Sequence, residues 1–309
     1  MRSRKLVVPD RPSTVLYVAG HGRSGSTLLG MLLGAGSGSF LAGELALIFD
    51  RWLGGQQVCS CGNVLRDCPV WSAVMGRFSS SMPHASLVGA RRLTDRLERL
   101  ASGWALGAIN RRARQAYGRV WGEMLDSIAE VTGSPTIIDI SKSAHPRARR
   151  PFMLASEAGT DVRVLVLIRD PRAVMGSVGA AGSRKGRGKV LAGERTLASW
   201  VATYAYANRY RRAVAIPVTI VRYEDLTTEP RTVLERAARE LDLDFSAAIA
   251  AAEQRRNIAA HHAFAGNAIR RDAVTVLRPA TADWATRLNG HHSATARVAG
   301  RVARHYGYR

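Results

Sequence analysis

The sequence predicts an α/β protein in which a parallel β-sheet lies between layers of helices. Three observations predict it. Short β-rich runs alternate with helical segments along the chain, and strands separated by helices pair in parallel. The run VRVLVLI (162–168) is apolar but for Arg163, as suits a strand covered on both faces. The clusters rich in glycine, arginine and serine each fall directly after a run, where ligands bind in such sheets.

The elements follow in order. TVLYVAG gives a first strand over about 14–20, and an apolar helix covers about 25–35. FLAGELALIFDRWL (40–53) reads as a very short strand turning into a helix at Gly43–Glu44. A cysteine loop, CSCGNVLRDC, and the short segment PVWSAVMGRF come next. Residues 85–133 have no strand pattern, and their helical spacing predicts two amphipathic helices, either scaffolding over the sheet or a wall for an acceptor. TIIDI (136–140) is the second β-rich run and ends in SKSAH. VRVLVLI ends in RDPRAVMGSV, where Pro171 suits the first turn of a helix. GAAGSRKGRGK (179–189) is the candidate mobile loop. A helix over about 194–213 leads to the strand PVTIVRY (217–223), followed by YEDLTTEP and a helix from about 230.

A chain of 309 residues can bury one large α/β core, and we read it as one domain, 1–309, with a helical insertion at about 85–133. The net charge is +21, and lysine occurs only at Lys5, Lys142, Lys185 and Lys189, so 41 of the 45 cations are arginine. Such a balance follows from a GC-rich coding bias or from a positive field toward an anionic ligand or an anionic membrane surface. With 6% aromatic residues and no basic–aromatic alternation, no nucleic-acid partner is expected. No apolar run reaches the ~18–20 residues of a membrane span, and the basic N-terminus has too short an apolar stretch for a signal peptide. A cytoplasmic protein is expected. The three cysteines, Cys59, Cys61 and Cys68, share one loop. Their odd number does not suggest a disulfide framework, and C-x-C fits a zinc site poorly. Packing or a reversible disulfide is the expectation, with no metal.

Residues 20–28, GHGRSGSTL, nearly fit the phosphate-binding pattern G-x-x-x-x-G-K-[ST], with Gly20 and Gly25 as its glycines. Backbone N–H groups and a helix N-terminus there favour an oxyanion. The lysine slot, however, holds Ser26, followed by Thr27, and the only cation is Arg23. Nucleotide kinases need that lysine and an acidic strand end to help hold magnesium. Only Asp139 in TIIDI comes close to the second requirement.

GRSGST resembles the 5′-phosphosulfate loop of the sulfotransferases that use 3′-phosphoadenosine 5′-phosphosulfate (PAPS). Their loop carries Arg or Lys two residues before the second glycine, where Arg23 stands. LVLIRDPRAVMGSV resembles their 3′-phosphate motif, a strand followed by Arg and by Ser eight residues later: Arg169 and Ser177. RYEDL (222–226) resembles the strand end that follows this motif. GNAIRR (266–271), ahead of Trp284, resembles the cofactor-covering segment of bacterial members, here about 258–309, and the CSCGN…CPVW stretch is also similar to one in bacterial members.

The resemblance implies a P-loop-like three-layer fold and transfer of a sulfuryl group from PAPS to an acceptor hydroxyl, releasing 3′,5′-ADP without a metal. A sulfuryl group carries less charge than a phosphoryl group, so stabilisation by a cation and N–H donors suffices. It places Gly22, Arg23, Ser24, Gly25, Ser26 and Thr27 at the donor, Arg169 with Ser177 at the 3′-phosphate, and Asn267 and Arg270 near the nucleotide. Glu44, after Gly43, resembles the catalytic base of the protein-tyrosine branch.

Several readings stay open on the sequence. Glu44 is the base or a helix-start glutamate favoured by the dipole, and His21 is the alternative base. Lys142 contacts the transferring oxygens or is a solvated charge. Tyr223 stacks on adenine or packs in the strand. Arg172 orients the loop or pairs with Asp170. The pairs His261–His262 and His291–His292 are read as surface. The acceptor is a carbohydrate, a lipid or a small metabolite. The rival readings are a P-loop kinase or nucleotidase and a non-catalytic anion-binding basic protein.

Overall fold

Period-two alternation in the strands divides the core into two. In the computed structural model, which describes residues 13–102, 109–142, 148–181, 187–213, 216–272, 275–279 and 294–308, the first strand β1 spans Thr14–Gly20. Its Val15, Tyr17 and Ala19 face one apolar cluster, and Leu16 and Val18 face the other. A sheet covered on both faces forces this split, because successive side chains point to opposite sides.

Helix α1 (Ser26–Leu33) leaves the glycine loop and leads to β2 (Ser39–Gly43). A 3-10 turn, Leu45–Leu47, opens α2 (Ile48–Gly54). Three further helices precede β3 (Thr136–Asp139): α3 (Pro69–Ser81), α4 (Leu87–Ser102) and α5 (Arg111–Thr132). Then come α6 (Arg150–Glu157), β4 (Asp161–Ile168), α7 (Pro171–Ala181) and α8 (Arg187–Ala213). β5 (Val218–Arg222) passes directly into α9 (Tyr223–Thr228). The chain continues through α10 (Pro230–Leu241), α11 (Ser246–Glu253), a 3-10 turn at Ala268–Arg271 and α12 (Ala294–His305).

All five strands pair in parallel, in the order β2-β3-β1-β4-β5. Their carboxyl ends therefore share one edge: Gly43 pairs with Asp139, Gly20 with Leu167, and Ile168 with Arg222. One face carries α1, α10 and α11 through Leu29, Leu32, Leu234, Leu241 and Ala248. The other carries the aromatic cluster of Phe49, Trp71, Phe78, Trp121, Trp200 and Tyr204. Helices α4 and α5 belong to this second layer. Tyr117, Trp121 and Leu125 of α5 are fully buried, so this helix packs into the layer over the sheet.

Two expected boundaries shift. Of the candidate mobile loop 179–189, residues 179–181 end α7 and 187–189 begin α8, while 182–186 lie outside the described residues. Of the segment 258–309, the first part runs past the strand ends, and residues 280–293 lie outside the described residues. Its last part, α12 with Tyr306 and Tyr308, docks on α8 and β4. The Tyr306 hydroxyl donates to Tyr204 O at 2.7 Å, and the Tyr308 hydroxyl donates to Glu224 Oε2 at 2.7 Å, with Ile168 O at 3.3 Å.

The aromatic layer also buries an ion cluster. The Arg150 guanidinium, fully buried at the start of α6, bonds Glu98 of α4 and Asp139 at the end of β3. Its charge lies 3.8 Å over the Trp121 ring, and the Tyr117 hydroxyl donates to Glu98 at 3.1 Å. Arg150→Ala leaves two buried carboxylates without their cation. The expected loss is about 3–5 kcal/mol of unfolding free energy, read from urea melts. A loss under about 1 kcal/mol would mean the cluster is solvated in solution.

Candidate active site

The glycine loop is shaped by backbone conformations that few residues tolerate. Gly20 has φ +147°, and a Cβ there would stand 2.4 Å from Leu167 O. Gly25, at the N-cap of α1, has φ +94°, and its Cβ would meet the Tyr223 ring at 2.4 Å. Arg23 adopts φ +68°, a strained position for a residue with a side chain. No side chain caps α1, so its first N–H groups are left to the solvent or a ligand.

One buried hydroxyl holds the loop from behind. Tyr204 of α8 donates to Leu167 O at 2.7 Å and accepts from His21 N–H at 3.2 Å. The Ser24 hydroxyl lies 3.1 Å from the same oxygen. Burial pushes the Tyr204 hydroxyl well above its ordinary pKa, so it stays a neutral donor. His21 is also buried. Desolvation lowers its pKa, partly offset by a 2.7 Å contact between Nδ1 and Gly22 O.

In front of the loop lies a cavity of about 350 Å³ at the carboxyl ends of the strands. Three of its walls matter most. On one side Arg23 donates through Nε to Ser177 Oγ and through Nη2 to Ser177 O, both at 3.2 Å. Arg169 donates to Arg23 O at 3.2 Å and stacks 4.5 Å over the Tyr223 ring. Its Nε is buried without a partner among the described residues. On the opposite side Lys142, at φ +57°, pairs with Glu44 Oε1. Both side chains of that pair are more than four-fifths buried.

The sequence folds this way locally because β2 and β3 end together. Ile140 N–H donates to Gly43 O at 2.9 Å, and Ser141 Oγ accepts from Ala46 N–H at 2.9 Å. Ser141 in turn donates to Asp139, so the residue before Lys142 is fixed to both strands. The third wall is the covering segment. Asn267 N–H donates to Thr27 Oγ1 at 3.1 Å, and a Cβ on Gly266, at φ +86°, would stand 3.0 Å from the same hydroxyl.

A family model described as the sulfotransferase family matches residues 16–247. The chain belongs to the sulfotransferase family. The sulfotransferase domain of the Synechococcus PCC 7002 olefin synthase is 18% identical, with a TM-score of 0.53 and 99% of both chains covered. The sulfotransferase domain from the curacin biosynthetic pathway is 16% identical, with a TM-score of 0.51 and coverage of 96% of this chain and 98% of that one. These two likenesses concern the fold. No curated protein matches.

Most of the expected site residues of this sulfotransferase meet at the one cavity. Gly22, Arg23, Gly25, Ser26 and Thr27 line it from the loop. Glu44, Lys142, Arg169, Ser177, Tyr223 and Asn267 line it from five other segments. Two expected residues do not. Ser24 is buried, its hydroxyl turned back to Tyr204. Arg270 is buried too, and its guanidinium ties down backbone, donating to Asn267 O and Val58 O at 3.1 Å and to Gly266 O at 3.4 Å. Arg172 pairs with Asp170, donating from Nη2 to Oδ2 at 2.7 Å. His262 is half-buried against Cys68 rather than on the surface, whereas His261 is exposed. His291, His292 and Trp284 lie outside the described residues.

Tyr204 carried no motif, and sequence reasoning missed it. Tyr204→Phe removes the oxygen shared by Leu167 O, His21 N–H and Ser24 Oγ. A stability loss of about 1–3 kcal/mol is expected by thermal or urea melting. A loss of only a few tenths would show that water replaces the hydroxyl.

Proposed function

We propose that this sulfotransferase moves a sulfuryl group from PAPS to an acceptor hydroxyl and releases 3′,5′-ADP. The observation that carries the reading is the pairing of Arg23 with Ser177 beneath Arg169. It brings the glycine-loop cation and both residues of the strand-end motif to one wall of one cavity. A site with three cations and a single carboxylate among its principal charges suits a polyanionic ligand. The buried, partnerless Nε of half-buried Arg169 fits a bound oxyanion, because such a donor is otherwise costly to bury.

PAPS supplies the sulfuryl group when bound. Arg169 and Ser177 hold its 3′-phosphate, with Arg23 beside them. The N–H groups of Gly25, Ser26 and Thr27 at the uncapped start of α1 receive the 5′ oxyanions. Tyr223, already faced by a guanidinium, offers its ring edge to the nucleotide. Asn267 and Ile269 close the cavity from the covering segment.

Glu44 takes the proton of the acceptor hydroxyl. Lys142 pairs with its carboxylate and stands at the same point to balance developing charge. Arg23 leans toward Ser177, so Lys142 is the cation in contact with Glu44. His21 is a poorer base, being buried with Nδ1 turned to its neighbour's carbonyl. The kinase reading loses its acidic residue: Asp139 is fully buried and taken up by Arg150 and Ser141. The acceptor is a carbohydrate, lipid or small-metabolite hydroxyl, in a protein we place in the cytoplasm, with a basic surface suited to peripheral contact with anionic membrane. Among the described residues no helix is long and apolar enough to cross a membrane.

Calorimetric titration tests the donor. 3′,5′-ADP is expected to bind without added metal and at least tenfold tighter than 5′-AMP or ATP with magnesium, about 1.4 kcal/mol. Arg169→Ala should erase that preference with the fold intact. Equal affinity for all three nucleotides, or preference for magnesium-ATP, would sink the assignment.

Glu44→Gln tests the base. With a hydroxyl acceptor found by 3′,5′-ADP release across a panel, turnover should fall by about 10²–10⁴-fold at similar 3′,5′-ADP affinity. Near-normal turnover would remove Glu44 from that role.

A further inference from the structure

Three thiols and one imidazole that the transfer reaction does not use gather beside the cavity. The ligand atoms of Cys59, Cys61, Cys68 and His262 all lie within 4.8 Å of one another. We propose that these four side chains form a closed structural site for a zinc-class divalent ion. The ion staples the cysteine hairpin and the start of α3 to the covering segment.

The ligands come from three separate pieces of chain. Val58 and Val64 pair in a tight hairpin, with Cys59 N–H donating to Asn63 O at 2.9 Å and Leu65 N–H to Gln57 O at 2.7 Å. Gly62, at φ +91°, turns the tip and places Cys59 and Cys61 together. Cys68 is the N-cap residue of α3. His262 arrives from the covering segment with Nδ1 3.3 Å from Cys68 Sγ, and its carbonyl accepts from Trp71 Nε1 at 2.5 Å.

The dimensions and donor types fit. Metal–sulfur bonds of about 2.3 Å in a tetrahedron put neighbouring ligand atoms about 3.7 Å apart, so the cluster needs only a small contraction. Three sulfurs and one imidazole nitrogen are a donor set of closed zinc sites. All three cysteines are free thiols, and Cys61 is exposed, which leaves an entry path. On binding, the three thiols release their protons to solvent and the imidazole binds as the neutral ring.

Charge gives a second, independent argument. A divalent ion with three thiolates carries one net negative charge. Arg270 is buried beside it, donating to the carbonyl of Val58, the residue before Cys59, and spends its donors on carbonyls. Among the described residues it has no carboxylate partner within ion-pair distance, and its Nε has no hydrogen-bond partner. Glu44 acts on it only from beyond ion-pair distance, and the thiolate centre supplies a further counter-charge for this buried guanidinium.

The test is metal content by mass spectrometry of protein purified without chelator from zinc-supplied cells. One equivalent of zinc per chain is expected. Cys61→Ser and His262→Ala should each lower occupancy at limiting zinc at least about tenfold, while His261→Ala keeps it. The wild-type protein loaded with cobalt should show thiolate charge-transfer and tetrahedral ligand-field bands, and chelation should lower its melting temperature. If either variant fails to fold, the wild-type zinc content and cobalt spectrum decide. Zinc well below one equivalent, zinc retained in both variants, or a Cys–Cys disulfide in non-reduced peptide maps would overturn the proposal. None of these readouts depends on PAPS, so the site and the donor assignment stand or fall separately.

Discussion

The Glu44–Lys142 side of the cavity depends on one main-chain crossing. Phe264 lies over the end of β2, donating to Ala42 O and accepting from Glu44 N–H, both at 3.3 Å. The approach is so close that a Cβ on Gly43 would stand 2.0 Å from Phe264 O. Only glycine admits it, and Gly43 also sits at φ +100°. Glu44 therefore gets its position from a residue more than two hundred places away in the chain. The Phe264 ring completes the joint, edge-on to Trp71 at 4.8 Å between centroids, while its backbone bridges Cys59. The cysteine hairpin, the sheet edge and the covering segment thus meet at one residue.

The glycine-loop side is built differently. There the glycine loop is preorganised before any ligand arrives. Tyr204 holds it from below, Tyr223 closes the space at Gly25, and Arg169 is fixed by both Tyr223 and Arg23 O. Preorganised donors cost no rearrangement when charge develops, which is where such sites derive most of their effect. The strain at Arg23 and Lys142, both at positive φ, falls at the two cations that face the cavity from opposite sides. Elsewhere among the described residues positive φ without glycine occurs at Asp242, Arg255 and Ala265.

The strand ends were legible because parallel topology puts every carboxyl end on one edge. GHGRSGST, SKS, RDPR and RYED could be assigned to that edge from periodicity alone, and the cavity is there. What the sequence hid was pairing across distance. The Glu44–Lys142 contact depends on β2 lying beside β3, a strand order that no local pattern encodes. Arg270 sits in a motif, yet its guanidinium turns inward to three carbonyls, a matter of side-chain packing. C-x-C spacing argues against a metal only while the fourth ligand is out of view, and His262 lies 194 residues beyond Cys68. Tyr204 was hidden because a tyrosine in a long helix reads as core, and its hydroxyl is what matters.

Charge placement separates this site from that of a nucleotide kinase with the same sheet. Both have a glycine loop and an acidic strand end. Here the aspartate at the end of β3 is drawn into the aromatic layer by Arg150, a guanidinium with no exposure to solvent. Burial alone pushes the Asp139 carboxyl up, and the opposing pull of Arg150 and Ser141 brings it part of the way back. The carboxylate is spent on structure, where it fixes Ser141 and through it the approach of Lys142 to Glu44. A cation then stands at the cavity mouth where the other chemistry needs an anion. Arg150 and Lys142 are thus two ends of one choice: the buried arginine removes a negative charge from the strand ends, and the lysine adds a positive one.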